Sequence, residues 1–246
     1  MLCKLGGVGM ISVTDFRIDK KALESLFEYG FKNIPLKPWP ALSQSVSAHP
    51  DMLLFILDHT LLTHIDYYQY NKTAIDTIAS EANLKLLTTD EKVASEYPND
   101  VLFNAAVVGK YLIANLNFVS KKVIELCEKK GLIPIHIKQG YAKCSICVVS
   151  EGAVITSDEG ICETLNKETE LDVLKIEKGH IDLCQYEYGF IGGASGAFEN
   201  SVFFCGNLSL HPDGEKIIAF CNAHGKTAIS LTDKPLADVG TIFCFK

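Results

Sequence analysis

Lys121-Lys122-Val123-Ile124-Glu125-Leu126-Cys127-Glu128-Lys129-Lys130-Gly131, followed by Pro134-Ile135-His136-Ile137-Lys138, is the stretch that decides the fold. Apolar residues recur at helical spacing up to Gly131, a residue type that ends helices because it adopts the left-handed conformation without strain. Beyond it, apolar and polar residues alternate as on a strand. The same cadence occurs earlier, in Lys20-Lys21-Ala22-Leu23-Glu24-Ser25-Leu26-Phe27-Glu28-Tyr29-Gly30 with Asn33-Ile34-Pro35-Leu36-Lys37. It occurs again in Glu215–Gly225 with Ala228-Ile229-Ser230-Leu231. The three glycines lie 101 and 94 residues apart. Halving those separations predicts a repeat of about 47–50 residues.

The intermediate units are legible. Ala74–Ala82 reads as a helix before Leu84-Lys85-Leu86-Leu87, and Ile161–Leu165 as one before Leu171–Ile176. Between helix–strand pieces lie hairpin-like apolar pairs: Met52–Leu57 with Thr60–His64, Val101–Val107 with Tyr111–Ala114, Cys144–Val149 with Ala153–Thr156, and Gly189–Ala197 with Ser201–Phe204. Turn-like segments lead into the inner strands, among them His49-Pro50-Asp51, Pro98-Asn99-Asp100, Gly140-Tyr141-Ala142 and Ala237-Asp238-Val239-Gly240. The last unit stops halfway, at Gly240–Phe245, and its missing partner is the first strand, Gly9–Val13. The reading is an α/β fold: one domain, residues 1–246, of five strand–helix–strand units in a ring closed by pairing the N- and C-terminal strands. Such closure removes exposed sheet edges. An all-β propeller lacks the helix in each unit. A doubly wound sheet, the competing architecture, needs no terminal half-unit.

Composition narrows the function classes. The 246 residues carry 23 basic and 30 acidic side chains, net −7, and no basic stripe. That argues against a nucleic-acid partner, which requires a clustered cationic footprint. No segment reaches the length of a membrane span, and Met1–Gly7 does not read as a signal peptide. Nine cysteines, an odd number, several inside apolar runs (Cys127, Cys205, Cys221), read as reduced buried thiols and place the chain in the cytoplasm. Cys144 and Cys147, read as lying on one strand, face opposite sides and share no metal or disulfide. With the other thiols scattered, neither a metal nor a cofactor is expected.

Five units with one helix each, closed by the termini, resemble the pentein fold, the β/α propeller of guanidino-group-modifying enzymes. Its members include arginine and agmatine deiminases, dimethylarginine hydrolases and amidinotransferases, together with a non-enzymatic branch. The resemblance implies an acidic residue on one inner strand, a later His-x-Asp or His-x-Glu, and a nucleophilic cysteine near the C-terminus. Asp100, His180-Ile181-Asp182 and Cys244 match that order. The family's Glu-Gly-Gly-Asp is Tyr97-Pro98-Asn99-Asp100 here, and of the glycines before the cysteine only Gly240 remains. Arg17 is the only arginine, so no arginine pair is present to hold a substrate α-carboxylate.

The resemblance implies a cysteine-dependent hydrolase or transferase acting on a small cationic guanidino or amidino compound without an α-carboxylate. Cys244 attacks the amidino carbon, His180 moves protons, and Asp100 and Asp182 take guanidinium N–H groups in pairs. Read from the residues alone, Cys244 fits a buried strand position, and Asp100 a turn, as do Asp51 and Asp238. Gly192-Gly193-Ala194-Ser195-Gly196 reads as a tightly packed inner strand whose Gly192, Gly193 and Ser195 also suit a pocket rim. The expected site has Asp100, His180, Asp182 and Cys244 facing one cavity. The alternative is a binding or interaction protein that keeps the ring without catalysis.

Overall fold

The computed structural model describes residues 9–246. Cys3 and the Met1–Gly7 stretch read above for a leader lie outside the described residues. The chain opens with β1 (Met10–Asp15), α1 (Lys20–Glu28) and β2 (Phe31–Leu36). A second unit holds α2 (Pro50–Leu53), β3 (Leu54–Leu57), β4 (Thr60–His64), α3 (Ile65–Tyr70), α4 (Lys72–Glu81) and β5 (Lys85–Thr89). A third holds β6 (Ala106–Val108), β7 (Tyr111–Ala114), α5 (Lys121–Lys129) and β8 (Ile133–His136). The fourth holds α6 (Ala142–Ser145), β9 (Cys147–Ser150), β10 (Ala153–Thr156), α7 (Glu159–Glu168) and β11 (Asp172–Lys175). After β12 (Ile181–Asp182) come β13 (Ser195–Phe198), β14 (Ser201–Phe204), α8 (Gly214–Ala223) and β15 (Thr227–Ser230). The chain ends with β16 (Leu236–Ala237) and β17 (Phe243–Phe245).

Each unit builds its own three-stranded sheet in the same way. A two-residue turn joins two antiparallel strands, and a helix then carries the chain over to a third strand parallel to the second. Parallel pairing needs such a crossover, whereas antiparallel pairing needs only a hairpin. Asp58, Gly109 and Glu199 take positive φ in the hairpin turns, matching the twist of the flanking strands. Gly30, Gly131 and Gly225 take positive φ at the helix ends, as the spacing predicts.

The fifth such sheet is made from the two ends of the chain. β1 pairs in parallel with β2 and antiparallel with β17, with Ser12 opposite Cys244. The N- and C-terminal strands therefore do pair, but within one three-stranded sheet. The five sheets, and a small β12–β16 pair, remain separate, and no continuous closed sheet forms among the described residues.

The core is divided among the units. One apolar cluster joins Val13 and Leu36 of the first unit to Leu61 and Ile75 of the second. Another joins Phe55 and Leu62 to Leu112 and Val123. A third joins Ile113 and Ile135 to Val154 and Leu165. A fourth joins Cys147 and Ile155 to Val202 and Ile217. The fifth returns to the start, joining Phe203 to Ala22, Leu26 and Phe31. Cys127, Cys205 and Cys221 are buried, as their apolar surroundings predict.

The sequence reading placed the inner strands too early. Met52–Leu57, Val101–Val107, Cys144–Val149 and Gly189–Ala197 become strands only at Leu54, Ala106, Cys147 and Ser195. The preceding residues are buried in turns and single helical turns. Burial makes a stretch apolar whatever its backbone does, so periodicity does not separate the two. Cys144 accordingly lies on α6, not on a strand with Cys147, and both are free thiols. No helix among the described residues is long and apolar enough to cross a membrane.

Candidate functional site

The residues that lead into β3, β6, β9, β13 and β17 meet at one place. Asp51, Cys144 and Gly192 each stand three residues before their strand, and Asn104 and Thr241 two before theirs. Cys144 Sγ donates to Asp51 Oδ2 at 3.2 Å, and Thr241 Oγ1 lies 2.9 Å from the same oxygen. Asn104 Nδ2 approaches Cys144 Sγ at 3.0 Å, while its Oδ1 accepts from the Lys143 and Cys144 backbone N–H groups. Lys143 Nζ donates to Thr241 Oγ1 at 2.9 Å, and Thr241 Oγ1 lies 3.0 Å from the Gly192 carbonyl.

The backbone is compressed to allow this. A Cβ on Gly192 would lie 2.3 Å from the Lys143 carbonyl oxygen, and one on Gly193 would lie 2.0 Å from Asp238 Oδ1. Thr241 holds φ at +75°, an outlier for a β-branched side chain and a sign of local strain at a functional centre.

Beside this centre opens a chamber of about 280 Å³. Its floor is His49, Cys144 and Asp238, and its walls include Tyr141, Tyr186 and Phe190. His49 sits between two carboxylates, with Nε2 3.9 Å from Asp15 and Nδ1 3.7 Å from Asp238. These exceed hydrogen-bond length. Asp238 accepts from the Phe190 and Gly240 N–H groups. Three buried polar atoms in this region have no hydrogen-bond partner: His49 Nδ1 on the floor, Asp51 Oδ1 on the carboxylate that meets Cys144, and Asp100 Oδ1 behind Tyr141. Leaving such atoms unpaired costs about 1–3 kcal/mol each.

Burial raises the Cys144 thiol well above its ordinary range, and the charges of Asp51 and Asp238 push it the same way against the Asn104 amide. Burial likewise raises Asp238, opposed by His49. Asp100 is raised by burial against the hydrogen bond from the Tyr141 hydroxyl at 2.6 Å.

The expected convergence of Asp100, His180, Asp182 and Cys244 on one cavity is not what the structure holds. Asp100 is buried behind Tyr141, near the chamber. Cys244 is half-buried on β17 and borders a different cavity, and burial alone pushes its thiol up to about 12. His180 is exposed, 2.9 Å from Glu177 and edge-on to His211. The Asp182 side chain is exposed, and only its carbonyl reaches the site region, accepting from the Asp238 N–H. Neither His180 nor Asp182 borders either cavity. Gly192 and Gly193 line the polar centre, and Ser195 borders the second cavity with its hydroxyl 3.3 Å from the Gly192 carbonyl. Sequence reasoning missed His49, Asp51, Asn104, Lys143, Cys144, Asp238 and Thr241 as site residues. The available signal was their position, a polar residue in every segment leading into an inner strand. Among the described residues no three His, Cys, Asp or Glu side chains are grouped to hold a metal ion.

Residues 13–243 match the model of a family described as a family of unknown function, DUF6873. A search of curated proteins finds no match. Solved structures are more informative about fold. The dimethylarginine dimethylaminohydrolase of Pseudomonas aeruginosa, solved with citrulline, superposes with a TM-score of 0.55 at 12% identity, covering 91% of each chain. The amidinotransferase SxtG of Microseira wollei gives 0.52 at 12% identity, covering 85% of this chain and 74% of its own. The agmatine deiminase of C. jejuni gives 0.50 at 9% identity, covering 91% and 87%. The fold is that of the pentein superfamily.

Proposed function

This chain belongs to the family of unknown function DUF6873, and we propose that it acts on a small cationic amidino or guanidino compound in the 280 Å³ chamber, with Cys144 as nucleophile. The observation that carries this is the pair of unpaired buried atoms His49 Nδ1, on the chamber lining, and Asp51 Oδ1, on the carboxylate that accepts from the thiol. An amidinium presents N–H donors in a plane that carboxylates match in pairs. The reading takes the five units as a five-fold pseudo-symmetric ring. The five apolar clusters that link each unit to the next and the last to the first support it.

In the proposed reaction the Cys144 proton passes to Asp51 Oδ2, 3.2 Å away, as sulfur bonds to the amidino carbon. The bound cation offsets the Asp51 and Asp238 charges that hold the thiol protonated. The C–N bond then breaks, and the leaving amine takes the proton from Asp51. Water, or an acceptor amine, next adds to the amidino carbon as its proton passes to Asp51, and the carbon–sulfur bond breaks as Asp51 returns that proton to sulfur. A substrate α-carboxylate has no place: the Arg17 guanidinium is held by Asp15 and by the Gln44 and Ser45 carbonyls. Tyr186 and Phe190 suit a ligand with an apolar body.

A screen of agmatine, arginine, methylated arginines, simple guanidines and benzamidine for binding, and for released amine or ammonia, tests this. The expected result is binding and turnover of compounds without an α-carboxylate, with turnover lost in Cys144→Ser. Turnover that survives in Cys144→Ser removes the nucleophile assignment. A second reading, binding without catalysis, is favoured by the raised thiol and by the absence, among the described residues, of a hydrogen bond between it and a histidine. It predicts saturable binding and no product with any compound.

A further inference from the structure

A second cavity, of about 270 Å³, plays no part in the chemistry above. It is bordered by residues of β3, β6, β9, β13 and β17, one strand from each of the five sheets. Its wall is apolar. Ile56, Val107, Val148, Phe243 and Phe245 each keep part of their surface uncovered there. Covering apolar surface is favourable, yet five strands hold theirs around open space. Where the lead-in segments meet, one full charge interrupts this lining, Lys143 of α6.

The Lys143 ammonium is under-used by the protein. Its side-chain hydrogen bond is to Thr241 Oγ1 at 2.9 Å, and it has no carboxylate partner among the described residues. An ammonium carries three donors. The other polar groups on the wall bring no competing anion. Ser195 is engaged with the Gly192 carbonyl, Thr241 with that carbonyl and with Asp51 Oδ2, a carboxylate that does not border the cavity, and the Cys244 thiol is protonated at neutral pH. A lone cation at one end of an apolar cavity is complementary to a monoanion with an apolar tail.

We propose that this cavity is a second binding site, for a small apolar carboxylate whose headgroup is received by Lys143 and whose tail lies against Ile56, Val148 and Phe243. The proposal does not rest on the amidino reading: ligand charge and cavity differ, and Lys143, though it reaches the polar centre through Thr241, carries no step of the amidino reaction.

Calorimetric titration of the full chain with octanoate, 1-octanol and octylammonium tests it. Octanoate should bind once per chain, at least about tenfold more tightly than octanol, because a charge-assisted hydrogen bond is stronger than a neutral one. Octylammonium should bind more weakly than either. Lys143→Met should weaken octanoate about tenfold or more and leave octanol unchanged, while Lys143→Arg keeps octanoate within a few fold. Val148→Trp, which fills the cavity, should weaken octanoate and octanol alike. Circular dichroism establishes that each variant is folded, and if Lys143→Met does not fold, the octanoate–octanol ratio in wild type and Lys143→Arg decides. Equal affinity for octanoate and octanol, undiminished octanoate binding by folded Lys143→Met, or no octanoate binding at millimolar concentration overturns the proposal.

Discussion

The two cavities are nearly equal in volume, about 280 and 270 Å³, and the same lead-in segments wall them off from each other. Their chemistry is opposite. The chamber has the Asp238 and Glu187 carboxylates and the unpaired His49 Nδ1 in its lining, and the second cavity has aliphatic and aromatic side chains with one lysine. Strand alternation accounts for the second: residues facing inward from short strands are apolar on every unit, as a repeated fold demands. The chamber breaks the repeat. Asp51, Asn104, Cys144, Gly192 and Thr241 occupy matching places, yet no two are the same residue type. A repeat that conserves shape at five places and diversifies chemistry at those same places supports the site proposed beside the chamber.

The largest expected contrast is between the two cysteines on either side of that wall. Cys144→Ser should reduce turnover by at least about 10³-fold, the scale seen when a nucleophile is removed. Cys244→Ser should change it less than about twofold, since that thiol touches the other cavity. Steady-state rates of the two variants on the best screened amidine make the comparison. The reverse outcome would return the nucleophile to the position that the family motif implies.

Gly193→Ala comes next. The added methyl would lie 2.0 Å from Asp238 Oδ1, and that carboxylate is pinned by two backbone N–H groups. The neighbour cannot give, so a loss of about 2–3 kcal/mol is expected, read as a lower urea midpoint. Amidine affinity should fall with it, while octanoate affinity holds if the cavities are independent.

How much was legible in the sequence follows from these residues. Helices and crossover strands were legible because glycine and alternation are local signals. The pairing of the N- and C-terminal strands, which sets Ser12 opposite Cys244, was legible from a missing half-unit, though its register was not. The site was less so. Asp51 and Asp238 look like turn residues in the sequence, whereas Asp51 lies on the single helical turn α2 and Asp238 directly follows β16, and their burial comes only from the meeting of segments distant in sequence. Cys144 was read on a strand with Cys147, which hid that its sulfur points to Asp51. The glycine before the last strand was noticed, but the residue that follows it into the polar centre is Thr241, three places before the cysteine.

The two thiols also differ in what holds them protonated. Cys244 is raised by burial alone, Cys144 by burial together with the Asp51 and Asp238 charges. Removing a negative charge stabilises thiolate, lowers the thiol's pKa and increases the reactive fraction at a given pH. Asp238→Asn should therefore speed alkylation of Cys144 by iodoacetamide, by about tenfold for one pKa unit. Bound amidine cation should shift the Cys144 pKa the same way, though it also shields the thiol, so the variant is the cleaner probe. Cys244 should respond to neither, its rate rising only as pH nears about 12. Mass spectrometry of the labelled peptides separates the two sites.

The smallest effect is expected at the residue the family motif singled out. His180 is exposed and lies 2.9 Å from Glu177, a surface contact of the kind that adds little to stability. Its ring packs edge-on against His211, whose Nε2 is buried without a partner, so truncation uncovers one further polar atom to water and relieves rather than creates a deficit. His180→Ala should change stability by less than about 0.5 kcal/mol and leave turnover and amidine affinity within about twofold. The measurement matters because the motif and the geometry disagree at this residue more than anywhere else in the chain. If His180→Ala keeps ligand affinity but loses turnover by 10²-fold or more, the scale of a lost acid–base group, the segment before β12 must carry His180 onto the chamber during catalysis. Asp51 would then be a structural acceptor and not the base.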